Sequence, residues 1–272
     1  MQDVSQQIAS GELEAALQDT QQKIRKNPAD PKLRILLFQL QSLLGNWSKA
    51  LNQLNVLRDM DASCMPMVQT YEQVLACEAL RKEVFAARKA PLIFGEPEEW
   101  IALMFEALNL ENNGEQNAAD ELRGKALEQA PAISGEIDGN AFAWIADADS
   151  RLSPMLEAVI NGRYYWIPFH RISQLNLTDP EDLRDFAWMP AQFVWSNGGD
   201  GVGFIPTRYP SSEDSEDNAI KMARKTEWIA KSEQSYHGLG QRILTTDVDD
   251  YPLLNCRTLV FNVTEESSET QE

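Results

Sequence analysis

The sequence predicts an α+β protein, with an all-α array of repeated helix pairs in the first half and a β-rich second half. Three observations predict it. A glycine-led segment at Gly11 returns at Gly45. Leucines recur three and four apart through residues 1–131, where Gly and Pro appear only as punctuation. Beyond Pro131-Ala132-Ile133-Ser134-Gly135 the pattern changes to short runs of Val, Ile, Phe, Tyr and Trp bounded by Gly, Asn, Asp and Pro. At 272 residues and 43% hydrophobic content, the chain suits two cored domains, 1–134 and 135–264. The acidic tail, 265–272, is expected to be disordered.

The repeat is explicit. Gly11-Glu12-Leu13-Glu14-Ala15-Ala16-Leu17-Gln18 returns as Gly45-Asn46-Trp47-Ser48-Lys49-Ala50-Leu51-Asn52. A third copy, Gly114-Glu115-Gln116-Asn117-Ala118-Ala119, begins two such intervals and one further position beyond Gly45. Pro28 stands as far beyond Ala16 as Pro131 stands beyond Ala119. Glycine breaks the turn, the small alanine lets paired helices approach, and proline ends the second helix. The interval from Gly11 to Gly45 matches the period of tetratricopeptide (TPR) repeats, which the segment resembles in a degenerate, TPR-like form. The first helices, 31–44 and 97–112, lack the expected tryptophan and small residue at most of their places. The slot between the second and third copies is filled by one long helix, about 66–89.

A stacked array presents a concave face built from the first helix of each pair, where a peptide or helix can bury apolar anchors. In this register Lys32, Ile35, Gln39 and Ser42 point that way, with Ile101, Met104 and Leu108 on the later pair. The alternative for each is core packing or contact with the second half.

In the second half the candidate strands are 141–147, 155–160, 163–169, 191–196, 201–205, 226–231, 241–247 and 257–263, consistent with a barrel-like or sandwich-like domain. Asn161-Gly162 is a hairpin turn in which both residues must accept positive φ. Asn197 to Gly201 marks a second turn, and His237-Gly238 reads as another. A short helix is expected over 179–186, capped by Thr178 or Asp179. Ser211 to Asp217 reads as a solvated acidic loop.

Composition excludes several classes of function. A net charge of −18 repels phosphate, so nucleic acid and anionic membranes are poor partners. Residues 1–134 hold 13 basic and 19 acidic side chains, and 135–272 hold 11 and 23. The plainer reading of this excess is solubility, and it also steers a basic partner. No apolar stretch approaches a membrane span, and the N-terminus has no signal-peptide pattern, so the expected location is cytoplasmic. Cys64, Cys77 and Cys256, odd in number and without CxxC spacing, read as free thiols. Gly199-Asp200-Gly201-Val202-Gly203 precedes a strand ended by Pro206, not a helix, and so is a turn and not a phosphate loop. His170 and His237 have no partner at metal-ligand spacing. Asp247, Asp249 and Asp250 lack the spacing of a calcium loop, and no G-x-S-x-G elbow exists. The sequence therefore assigns no catalytic residue, no cofactor and no metal.

Several strings carry a resemblance. These are Gly162-Arg163-Tyr164-Tyr165-Trp166-Ile167-Pro168-Phe169, Leu183-Arg184-Asp185 with Trp188-Met189-Pro190, Phe204-Ile205-Pro206-Thr207-Arg208-Tyr209-Pro210, Arg224-Lys225-Thr226-Glu227-Trp228, and Gly238-Leu239-Gly240-Gln241-Arg242. In that order they resemble the ImpE/SciE family, also called TagJ. Ala223 stands where the family pattern has glycine. The resemblance implies an accessory component of the bacterial type VI secretion system. It also implies a partner, the N-terminal helical region of the small contractile-sheath subunit, and an influence on sheath recycling by a dedicated AAA+ ATPase. Two other readings stand beside it. One is an enzyme with a site in the β-rich half built from Arg224, Asp185, Glu227 or His170. The other is a general TPR co-chaperone, although no basic carboxylate clamp is apparent on the expected groove.

Overall fold

The three repeat glycines set the geometry of the helical half. Gly11, Gly45 and Gly114 all take left-handed backbone, with φ of 83°, 67° and 84°. After each, the next N–H reaches back across the helix end: Glu12 to the Gln7 carbonyl at 2.8 Å, Asn46 to Gln41 at 2.9 Å and Glu115 to Leu110 at 2.9 Å. This is the six-to-one helix stop that a left-handed residue makes possible. The glycines join α1 (Val4–Ser10) to α2 (Leu13–Lys26), α3 (Pro31–Leu43) to α4 (Trp47–Met60), and α6 (Glu99–Asn112) to α7 (Gln116–Gln129). Ala16, Ala50 and Ala119, one per pair, are wholly buried. The single long α5 (Met65–Phe85) fills the slot between the second and third pairs. The computed structural model describes residues 3–263, so the acidic tail at 265–272 lies outside the described residues. Among the described residues no helix is long and apolar enough to cross a membrane.

The strands are β1 (Leu92–Ile93), β2 (Gly135–Ile137), β3 (Asn140–Phe142), β4 (Ile145–Asp147), β5 (Met155–Ile160), β6 (Arg163–Pro168), β7 (Ile172–Leu177), β8 (Trp188–Trp195), β9 (Asp200–Pro206), β10 (Thr226–Ala230), β11 (Tyr236–Gly240), β12 (Ile243–Thr246), β13 (Asp250–Pro252) and β14 (Thr258–Phe261). Nine form one sheet in the order β1-β6-β5-β9-β8-β7-β14-β2-β3; β13-β12-β4 form a small sheet, and β10-β11 a two-stranded ribbon. Only three residues, Phe169 to Arg171, link β6 to β7, although β5, β9 and β8 lie between those strands in the sheet. A flat sheet would separate the two strands by about 19 Å, whereas the link spans about 14 Å at most. The sheet therefore rolls up, and β6 bends directly into β7 at this corner. Its inner face and the small sheet enclose a core that includes Ile137, Leu156, Phe169, Leu175, Phe193, Leu244 and Leu259. The α+β architecture anticipated from the sequence is the one observed, and the order has free ends at β1 and β3.

Several local expectations change. The run 141–147 divides into β3 and β4, because the Asp247 carboxylate draws the Ala143 N–H out of the ladder at 2.7 Å. Strands β1, β2, β7, β11 and β13 lie where no strand was expected, β1 within the half expected to be all-α, and His237-Gly238 sit inside β11 instead of in a turn. The helix expected over 179–186 shrinks to a 3₁₀ turn, Leu183–Phe186, capped by Asp182 in a capping box with Asp185. Pro180 is the physical reason, since it biases Asp179 away from helix. The Asn161-Gly162 turn behaves as expected, with φ of 50° and 70° between β5 and β6. Ala223 also adopts φ of 51°, a left-handed conformation that glycine would take without strain.

Candidate partner-binding site

The β-rich half packs directly against the helical array of the same chain. Along α5, Val68, Tyr71, Val74, Leu75, Arg81, Val84 and Phe85 are buried at helical spacing. All but Arg81 share one apolar core with Leu43 and Trp100 of other helices and with Val159, Tyr164, Trp166 and Trp188 of the sheet. Tyr71 stands 5.8 Å from Trp188 and 5.4 Å from Phe204, ring to ring.

Polar groups lock the seam. Glu157 on β5 has no exposed surface. Its carboxylate takes Nε and Nη2 of Arg81 from α5 at 2.7 and 2.9 Å, the Tyr164 hydroxyl at 2.5 Å, and Nη2 of Arg242. The Tyr164 oxygen in turn accepts the Trp166 indole N–H at 2.7 Å. Burial pushes the Glu157 carboxyl up, but the Arg81 and Arg242 guanidiniums outweigh it and hold the carboxyl at about 2. Arg242 also bonds Asp147, which accepts the Tyr209 hydroxyl at 3.0 Å. Buried Arg208 reaches into the helical half and donates to the Leu43 and Ser42 carbonyls at 2.7 and 3.1 Å, neutralising the C-terminal end of α3. The Trp188 indole donates to Glu78 of α5 at 2.7 Å. Tyr164, Trp166, Trp188, Arg208, Tyr209 and Arg242 all belong to the strings that carried the resemblance, so those motifs build the seam between the halves.

This placement corrects the expected groove. Gln39, Ser42, Ile101, Met104 and Leu108 are buried, and the last three sit in the shared core. Lys32 is exposed, and Ile35 is half-buried against the same core. The residues of the enzyme reading have separate tasks. Arg224 donates to the Ala9 and Ile8 carbonyls near the end of α1 at 2.8 and 3.2 Å. Asp185 accepts the Glu181 and Asp182 N–H groups at 2.9 Å. Glu227 pairs with Lys225 at the surface, and His170 lies 2.9 Å from Glu98. None of these contacts joins two of the four. Among the described residues no group of His, Cys, Asp and Glu is placed to hold a metal ion.

Open clefts among the described residues include the following. The first, of about 560 Å³, runs between α5 and the ends of β5 to β9. Val74, Leu177, Ala191, Val202 and Phe204 make it apolar, and the amides of Gln73, Asn161, Asn176 and Gln192 add hydrogen-bonding groups. None of its lining residues is charged, in a chain of net charge −18. Such a lining suits the apolar face of a peptide segment. Sequence reasoning missed it because its walls come from five segments far apart in the chain. The second cleft, of about 970 Å³, is lined by Phe94, Glu98, Ser134, His170, Arg171 and Trp195 among others. There, burial pushes Glu98 up, but the Trp100 indole at 2.8 Å, His170 and Arg171 bring its carboxyl below the usual range.

Comparison with known proteins agrees with this architecture. The ImpE protein family matches residues 139–260, and the tetratricopeptide repeat matches residues 7–72. The type VI secretion system accessory component TagJ of Pseudomonas aeruginosa is 44% identical over 258 residues, covering 95% of this chain and 90% of that one. A crystal structure of a Vibrio parahaemolyticus protein superposes with a TM-score of 0.84 at 22% identity, covering 95% of this chain and 97% of the other. At that identity the likeness establishes the fold.

Proposed function

From the premise that the chain belongs to the ImpE family, we propose that it is a non-catalytic, cytoplasmic accessory component of a bacterial type VI secretion system, whose task is to hold another protein. The partner is the N-terminal helical region of the small contractile-sheath subunit. The observation that carries this reading is the uncharged, largely apolar cleft beside α5. An amphipathic helix lays its apolar face into such a cleft and leaves its polar face to solvent. The chain's net charge of −18 favours a helix with basic flanks and gives association a salt dependence. Lys32 and Ile35 stay in the proposal as the accessible part of the helical face.

Calorimetric titration with a peptide of the sheath subunit's N-terminal segment tests this. Val202 lines the cleft and is 71% exposed, so Val202→Asp leaves the fold intact. It weakens binding by about tenfold or more, the loss expected when a charge enters an apolar contact. Unchanged affinity in Val202→Asp together with loss of binding in Lys32→Glu would move the contact to the helical face. No binding at all by the wild-type chain would reject the partner.

A further inference from the structure

Among the described residues, none forms a backbone hydrogen bond to the outer edge of β10 in the ribbon β10-β11. The Gln241 N–H bonds the Lys225 carbonyl, and the Lys231 N–H bonds the Ser235 carbonyl, each at 2.9 Å. In an antiparallel ladder hydrogen-bonded pairs alternate, so Lys225, Glu227, Ile229 and Lys231 turn their backbone groups toward β11. Thr226, Trp228 and Ala230 therefore turn their N–H and C=O groups outward, away from β11. Residues 227–230 are all exposed, Trp228 and Ile229 at 42% and 46%. A bare strand edge beside exposed apolar side chains is a template for another strand.

The order of side chains along this strand selects the occupant. We propose that β10 pairs antiparallel with β10 of a second copy of this chain, about a two-fold axis at Ile229. Side chains alternate along a strand, so Glu227, Ile229 and Lys231 share one face of it. The axis sets Ile229 against Ile229 of the second copy and Glu227 against Lys231 of the second copy, twice by symmetry. On the other face Trp228 covers Ala230 of the second copy. The outward backbone groups of Trp228 and Ala230 then meet each other, as the ladder requires. Neighbouring registers fail on charge or on pairing. An axis at Trp228 opposes Lys225 to Lys231, one at Glu227 opposes Glu227 to itself, and one at Ala230 leaves Glu227 opposite the turn beyond Lys231, with no strand partner. Lys231 carries no ion pair among the described residues, so it is free to make the new one. The pairing makes a continuous four-stranded ribbon and a closed, isologous dimer. Its contact is small, so assembly depends on concentration in the micromolar range and above. The inference does not rest on what the cleft beside α5 binds.

Sedimentation of the full chain across a concentration series tests the pairing. Wild-type protein passes from monomer to dimer. Ala230→Pro removes one outward N–H, at an edge position where proline is tolerated, and abolishes the dimer while circular dichroism stays unchanged. Lys231→Glu weakens the dimer by about tenfold through two like-charge pairs, and the double change Glu227→Lys with Lys231→Glu restores it. A wild-type chain that stays monomeric throughout overturns the proposal. So does a dimer indifferent to Ala230→Pro, or one that the double change fails to rescue.

Discussion

Replacing Glu157 by glutamine tests whether the two halves are one cooperative unit. The carboxylate is fully buried, faces Arg81 and Arg242, and accepts the Tyr164 hydroxyl. Glutamine keeps the volume and removes the charge, leaving two guanidiniums at the seam with less negative charge to meet them. Breaking a buried ion pair by removing one partner costs about 3–5 kcal/mol. The pKa gives a similar size: a carboxyl held at about 2 instead of 4.5 corresponds to about 3 kcal/mol of stability at neutral pH. For a chain of this length that lowers Tm by roughly 10 °C. The sign follows from the direction of the shift. The folded pKa lies below the unfolded one, so the stabilisation is complete above pH 4.5 and is lost as pH falls toward about 2. Urea unfolding followed by far-ultraviolet circular dichroism reads the helical half, and tryptophan fluorescence reads Trp166 and Trp188 at the seam. Wild type shows coincident transitions, and Glu157→Gln shifts both and flattens the acid limb. A loss below about 1 kcal/mol, or wild-type transitions that separate by probe, would refute the seam as a shared core.

Three further outcomes follow from the same contacts. Gly240→Ala destabilises by about 3 kcal/mol, because φ is +88° and a Cβ would lie 1.9 Å from the Lys225 carbonyl oxygen; equilibrium unfolding measures it. Arg208→Met lowers stability by about 2–3 kcal/mol by freeing the Leu43 and Ser42 carbonyls, and hydrogen exchange at the end of α3 rises with it. Burial raises the Cys77 and Cys256 thiols to about 11 and about 12, so neither is alkylated at pH 8 until denaturant is added, which mass spectrometry of labelled peptides reports.

Legibility in the sequence followed the range of the interaction. The repeat glycines could be read because a left-handed helix stop is a local event with one favoured residue, and Gly11, Gly45 and Gly114 all carry it. Asn161-Gly162 was readable for the same reason. Strands with alternating or continuous apolar runs, such as β5 and β6, were found close to their bounds. Strand β7, with Ser173, Gln174 and Asn176 half-buried between neighbours, has too polar a pattern to announce itself. Strand β11, with two glycines in five residues, looks like a turn until Tyr209 and Asp149 are seen against it.

The cleft and the seam are a different matter. Periodicity places Ile101, Met104 and Leu108 on one face of a helix, but it is silent on whether that face meets solvent, a partner or the rest of the chain. The charge pattern likewise gives no sign that Arg81 meets Glu157, 76 residues further on. By itself the sequence determined the helical repeat, the change to β structure, the acidic character and the family. Tertiary structure decided that helices and sheet share one core and that an uncharged cleft opens beside α5, because burial depends on which distant segments meet, and local pattern carries no record of that.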